Sequence, residues 1–141
     1  MTTPRSCSGE FGQKIVGSLG ADTLNGRGGA DILAGGKGRD AFVFDRPKAG
    51  PDKVLDFKVG EDMIHLVGKA FGLPKGALGA DAFLSTKGGA PKAHDAEDRV
   101  LYDRSKGYLY FDADGTGGKA AVLVASFKGK PDLALKDFLI V

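Results

Sequence analysis

Three aspartates set the chemistry of this chain. Asp22, Asp31 and Asp40 recur at an interval of nine residues, each preceded by glycines at fixed positions and followed two residues later by a large apolar side chain. Divided into nines, the stretch from Gly17 to Val43 reads GSLGADTLN, GRGGADILA, GGKGRDAFV. Gly17, Gly26 and Gly35 hold the first position, Gly20, Gly29 and Gly38 the fourth, and Leu24, Leu33 and Phe42 the eighth. An aspartate supplies a hard anionic oxygen, and glycines permit the positive-φ turns in which backbone carbonyls come close to a ligand. Carboxylates and carbonyls together are the donor set of calcium, which takes six to eight oxygens at about 2.3–2.6 Å. A flexible glycine linker would not keep an apolar residue in register with each aspartate. A phosphate-cradling loop needs a buried strand before it and a Lys-Ser/Thr pair or a long helix after it, and the sequence has neither.

Such oxygens need elements to hold them. After each glycine-rich turn comes a short strand whose one large apolar side chain faces inward. Two nonapeptides make one coil, so turns eighteen residues apart lie on the same edge of a stack. Asp22 and Asp40 are therefore expected to stack on one edge, with Asp31 on the other. Residues 8–16 keep the frame with Ile15 at the apolar position, but Phe11 and Gln13 stand where glycine and aspartate belong. Atypical end repeats of this kind cap stacked folds. One apolar residue per repeat buries too little surface to order the turns unaided, so metal and the segment after the repeats must supply the rest.

Bulk composition agrees with one folded domain: 141 residues, 42% hydrophobic and 27% charged. The 23 glycines are more than twice the usual share of about 7%. Cys7 is the single cysteine, so no internal disulfide forms, and a metal is the alternative staple for an exported chain. Met1 to Gly12 lacks the apolar run of a signal peptide, and no stretch is long and apolar enough to span a membrane. A net charge of +2, scattered along the chain, points to neither nucleic acid nor membrane insertion. No H-E-x-x-H, G-x-S-x-G or suitable Cys/His pairing occurs, so no catalytic residue is assigned and the chain is read as a non-enzyme.

The repeats resemble the G-G-x-G-x-D-x-U-x nonapeptides (U apolar) of the RTX calcium-binding β-roll proteins. The third repeat fits every specified position, while Ser18 and Arg27 replace the second glycine in the first two. In that family an ion lies between two stacked turns. One turn gives carbonyls from positions two and four and its Asp; the other gives carbonyls from positions one and three and its own Asp. The resemblance implies a first Ca2+ site from Ser18, Gly20 and Asp22 with Gly35, Lys37 and Asp40. A second site, on the opposite edge, would begin with Arg27, Gly29 and Asp31. No regular fourth repeat follows. Family members often close this last site with two aspartates seven residues apart, a spacing that Asp45 and Asp52 have, though both also suit an ordinary solvated loop. Arg27, Lys37 and Arg39 crowd the sites with positive charge, which weakens affinity electrostatically.

Beyond the repeats, DKVLDF (52–57) and GEDMIHL (60–66) read as two β-type stretches joined by a turn. They are similar to the D-x-I-x-D-F and G-x-D-x-I-D-L blocks that follow RTX repeats in serralysin-type proteases and alginate-epimerase repeat modules. His65 replaces the family's Asp and is read as a surface or packing residue, and Asp56 and Asp62 as turn formers. LGADAFL (78–84) suggests a short helix anchored by Phe83, and 87–95 a loop. From Arg99 the period becomes two, giving a hairpin of Val100–Tyr102 and Tyr108–Phe111 around a turn at 105–107, then a strand over Ala120–Phe127. DADGTG (112–117) reads as a turn between strands, because an EF-hand would need a glutamate where Leu123 stands. The closing DFLIV (137–141) resembles the uncleaved C-terminal export signal of RTX proteins that leave by type I secretion, and suits a last packed strand equally well.

The expected fold is all-β: a short parallel β-roll over residues 8–43, followed by an antiparallel β-sandwich-like cap over 44–141, with residues 1–7 unstructured. The expected function is that of a calcium-binding module that folds on binding Ca2+ and serves as a C-terminal target for type I secretion machinery. Such a protein would be an extracellular monomer, exported without an N-terminal signal peptide. The alternative is a calcium-dependent carbohydrate-binding module for an anionic polysaccharide.

Overall fold

The computed structural model describes residues 2–6, 14–17, 19–25, 31–44, 52–79, 82–86, 99–112 and 121–141. A first strand, β1 (Thr2–Ser6), precedes the frame. The frame itself gives β2 (Lys14–Val16), β3 (Ala21–Asn25), β4 (Ile32–Ala34) and β5 (Ala41–Phe44), each built around one apolar residue of the eighth position. Alternate strands pair in parallel: Ile15 lies beside Leu33, and Leu24 beside Phe42. Successive strands thus fall in opposite sheets, which is the winding of a two-sheet roll. Leu24, Leu33 and Phe42 are fully buried between the sheets. Burial of that kind is worth about 1.5–3 kcal/mol per side chain.

The roll does not end at Val43. β6 (Asp52–Val54) pairs in parallel with β4, setting Val54 beside Leu33, and β7 (Met63–Leu66) pairs with β5, setting Ile64 beside Phe42. The two stretches are strands joined by a turn, as the sequence implies, but they sit in different sheets. The boundary expected after residue 43 therefore moves outward. The glycine frame ends there, yet the triplet of aspartate, any residue, apolar residue continues as Asp52–Val54 and Asp62–Ile64 and keeps the strands winding.

A single helical turn, α1 (Gly68–Phe71), leads into β8 (Gly76–Ala77), β9 (Phe83–Thr86), β10 (Val100–Asp103), β11 (Tyr108–Phe111), β12 (Val122–Phe127) and β13 (Phe138–Ile140). One sheet runs β1-β3-β5-β7-β13-β8 and the other β2-β4-β6-β12-β11-β10-β9. The cap is thus continuous with the roll. Its antiparallel β10–β11–β12 meander is added to β6 of the roll, and β13 is added in parallel to β7. One hydrophobic cluster runs from Leu24 through Phe57 and Phe127 to Ile140. Phe57 ties the two parts together, with ring centroids 6.0 Å from Phe42 and 5.6 Å from Phe127. The buried Tyr102 hydroxyl donates to the Pro131 carbonyl at 2.5 Å, pinning the approach to the last strand.

Two further expectations change. Of the helix expected over 78–84, the described residues keep a 3-10 turn at Ala82, whose N–H donates to the Gly79 carbonyl at 3.0 Å; Phe83 opens strand β9 and packs on Phe138 at 5.1 Å. At the N-terminus, Thr2–Ser6 pairs in parallel with Ala21–Asn25 rather than lacking structure. The edge of β3 offers unpaired N–H and C=O groups, and an extended chain satisfies them whatever its side chains. The DADGTG turn beyond Asp112 lies outside the described residues. Among the described residues no helix is long and apolar enough to cross a membrane.

Candidate metal centre

The aspartates stack as ladders of backbone-to-carboxylate hydrogen bonds. On one edge Asp22 N–H donates to Asp40 Oδ1 at 2.9 Å, and Asp40 N–H donates to Asp62 Oδ1 at 2.9 Å. On the other, Asp31 N–H donates to Asp52 Oδ1 at 2.9 Å. Sequence separations along these ladders are 18, 22 and 21 residues, so the later coils are longer than the nonapeptide frame allows but keep its stacking. All five carboxylates are buried. Burying a carboxylate is costly unless opposite charge or hydrogen bonds compensate.

Compensation is incomplete at Asp40. Its Oδ2 is buried and has no hydrogen-bond partner. Burial pushes its carboxyl up to about 6; the Asp22 N–H bond opposes this, and the negative charges of Asp62, Asp22 and Asp56 add to it. Burial also raises Asp62, against the hydrogen bonds from Asp40 and Lys58. Like charges driven together in this way mark a place for a cation.

Glycine positions show where oxygens crowd together. A Cβ on Gly17 would collide with the Gly35 carbonyl oxygen and stand 2.5 Å from Asp22 Oδ2. A Cβ on Gly35 would strike Asp40 Oδ2, and one on Gly38, which has φ +97°, would stand 2.7 Å from the Gly20 carbonyl oxygen. A carbonyl oxygen and a carboxylate oxygen thus converge beside Gly17, and neither can donate a hydrogen bond. All-oxygen donors of this kind fit a hard divalent cation such as Ca2+. Among the described residues no group of three His, Cys, Asp or Glu side chains is placed to hold a metal by itself.

The structure brings Gly20, Asp22, Gly35 and Asp40 together on one edge, with Lys37 exposed in the same turn. On the other edge it joins Asp31 to Asp52. Ser18, Arg27, Gly29 and Asp45 lie outside the described residues. His65 is half-buried beside Val43 and Leu139, with burial holding its imidazole below the usual range, and lines the same surface cleft as Asp22 and Asp40. Two residues are more than turn formers. Asp62 extends the first ladder, its Oδ2 also accepting from Lys58 N–H at 2.9 Å. Asp56 accepts from Gly35 N–H and Gly36 N–H, both at 2.8 Å. The aspartate-x-apolar triplet would have marked Asp62, since it survives where the glycines do not. Asp56 has no counterpart in the earlier repeats and carried no such signal.

Comparison with known proteins agrees with this geometry. Residues 9–42 match the family model described as the RTX calcium-binding nonapeptide repeat, in four copies. No curated protein matches the sequence significantly. Among solved structures the chain is similar to the AlgE6R3 subunit of the Azotobacter vinelandii mannuronan C5-epimerase, determined in solution. The TM-score is 0.51 at 20% identity, covering 96% of this chain and 81% of that one, a likeness of fold.

Proposed function

We propose that this chain, whose residues 9–42 match the RTX calcium-binding nonapeptide repeat, is a calcium-gated folding module, without catalytic activity of its own, whose C-terminus is read by type I secretion machinery. The observation that carries the reading is the convergence of the Gly35 carbonyl and the Asp22 carboxylate beside Gly17, with Asp40 Oδ2 buried and unpartnered next to Gly35. Without a cation these oxygens repel one another and the turns lack a bridge, so the roll stays open. With extracellular-type affinity, a Kd of about 10⁻⁴–10⁻³ M, millimolar calcium closes it. Occupancy at ten to a hundred times Kd stabilises by about 1.4–2.7 kcal/mol per site.

The packing of the C-terminus supports the export half of the proposal. Asp137, Phe138 and Ile140 are buried in the folded chain, with Asp137 Oδ2 accepting from Ala134 N–H at 2.8 Å. Machinery that reads these residues has to meet them before the fold closes, in a compartment poor in calcium. Titrating calcium into metal-free protein while following far-UV circular dichroism tests the gating. A cooperative gain of β-signal at submillimolar to millimolar calcium is expected, and a signal indifferent to calcium would sink the proposal.

A second reading, as a module for an anionic polysaccharide, draws on the outer face of the second sheet. There Lys14, Ile32, Lys53, Ser126 and Tyr108 form one cross-strand row, and Lys106 Nζ lies 6.0 Å from the Tyr108 ring centroid. Lysines and a tyrosine in line suit an extended uronate chain. Calorimetric titration with uronate polymers separates the readings: heat that vanishes in high salt and in Lys53→Ala favours this one.

A further inference from the structure

Asp56 braces the turn on which the first ion depends. Its carboxylate accepts two successive backbone N–H groups, Gly35 N–H to Oδ1 and Gly36 N–H to Oδ2, both at 2.8 Å. These belong to two peptide planes whose carbonyls are those of Ala34 and Gly35. In a trans peptide the N–H and C=O point in opposite directions, so a group that holds the N–H from one side aims the carbonyl at the other. The opposite side here is Gly17. The Ala34 carbonyl accepts from Gly17 N–H at 2.7 Å, and the Gly35 carbonyl oxygen, with Asp22 Oδ2, lies where a Cβ on Gly17 would stand.

We propose that Asp56 is a positioning residue for the ion on the Asp22–Asp40 edge, fixing the Gly35–Gly36 peptide plane so that the Gly35 carbonyl faces the cation. This rests on the reading that calcium binds there. Two effects work in the same direction. The bidentate grip orients a glycine pair that would otherwise rotate freely; Gly36 has φ +82°. A charged acceptor on an N–H also polarises the peptide it belongs to, making the carbonyl at the far end a stronger ligand. Outer partners that orient metal ligands typically contribute 10- to 100-fold in affinity. Asp56 itself is exposed; it holds the peptide through these two bonds, and its negative charge is also felt at Asp40.

The test compares wild type with Asp56→Ala and Asp56→Asn in the full chain, using calorimetric titration with calcium and luminescence lifetimes of bound Tb3+ in H2O and D2O. The first-edge ion is expected to bind about tenfold more weakly in both variants. The second-edge ion should keep its affinity, and Tb3+ on the first edge should gain about one coordinated water where the Gly35 carbonyl has swung away. A merely structural role would not change the water count. Wild-type-like affinity and water count in the two variants would overturn this inference alone. A wild type that binds neither Ca2+ nor Tb3+ would overturn the metal reading and this inference with it.

Discussion

Replacing Gly17 by alanine should remove one ion and leave the other. The added methyl would lie against the Gly35 carbonyl and 2.5 Å from Asp22 Oδ2, in the space where these oxygens converge. Real side chains do not tolerate such contacts, so the turn has to shift, and overpacking of this kind costs typically 1–3 kcal/mol. Loss of the ion removes a further ~1.4–2.7 kcal/mol at calcium ten to a hundred times Kd. Together these lower the melting temperature in saturating calcium by on the order of 10 °C for a domain of this size. Gly79→Ala is the control: nothing lies within 4 Å of its Cβ position, and its φ is not in the left-handed region. That variant should stay within about 0.5 kcal/mol of wild type. Ion counting by calorimetric titration is the decisive assay. If Gly17→Ala binds as many calcium ions as wild type with the same affinity, the oxygens beside Gly17 do not hold an ion, and the reasoning fails.

Other expectations follow from the same geometry. Asp31→Ala and Asp52→Ala should weaken one and the same ion, and Asp22→Ala a different one, because the hydrogen bonds pair Asp31 with Asp52 and Asp22 with Asp40; a competition titration that showed all three variants losing the same ion would contradict the two-edge arrangement. Asp40 is held at about 6 in the folded chain against 3.8 for the free side chain. Folding without metal therefore takes up a proton: this contribution favours the fold below about pH 4 and is lost as pH rises through about 6, a swing of roughly 3 kcal/mol. Metal-free protein should accordingly show more β-signal at pH 5 than at pH 7, Asp40→Asn should recover part of it at pH 7, and a metal-free β-signal that grows from pH 5 to pH 7 would count against this. Tyr102→Phe removes the hydroxyl donor to the Pro131 carbonyl, which keeps Leu133 N–H at 3.1 Å, and should lower stability by about 1 kcal/mol in chemical denaturation; an unchanged midpoint would mean that the hydroxyl bond contributes nothing net.

Much of this was legible in the sequence because one physical constraint repeats. Each coil must bring one apolar residue inside and one carboxylate to an edge, so Leu24, Leu33 and Phe42 with Asp22, Asp31 and Asp40 announced both the winding and the stacking. Legibility faded where the constraint loosened. Once the coils lengthen, as from Asp40 to Asp62, the interval of nine no longer finds the next rung, although Asp62 and Ile64 occupy the same places as Asp40 and Phe42. Pairing across the roll–cap junction was hidden for another reason. Whether β12 joins β6 or stands in a sheet of its own depends on contacts far apart in the chain, such as Phe57 on Phe127, which local periodicity cannot register. Asp56 escaped because its partners are the N–H groups of glycines, which carry no side-chain signature to match it with.

Amide hydrogen exchange at the ladder positions tests the central claim most directly. The N–H groups of Asp22, Asp31 and Asp40 each donate to a carboxylate of the next coil, bonds that exist only while the turns are stacked. In millimolar calcium these three amides should be strongly protected. In metal-free buffer at neutral pH they should exchange at rates near those of an unfolded chain, and magnesium at equal ionic strength should not restore protection. Equal protection with and without calcium would show that the roll closes unaided, and that the oxygens beside Gly17 need no ion to hold them together.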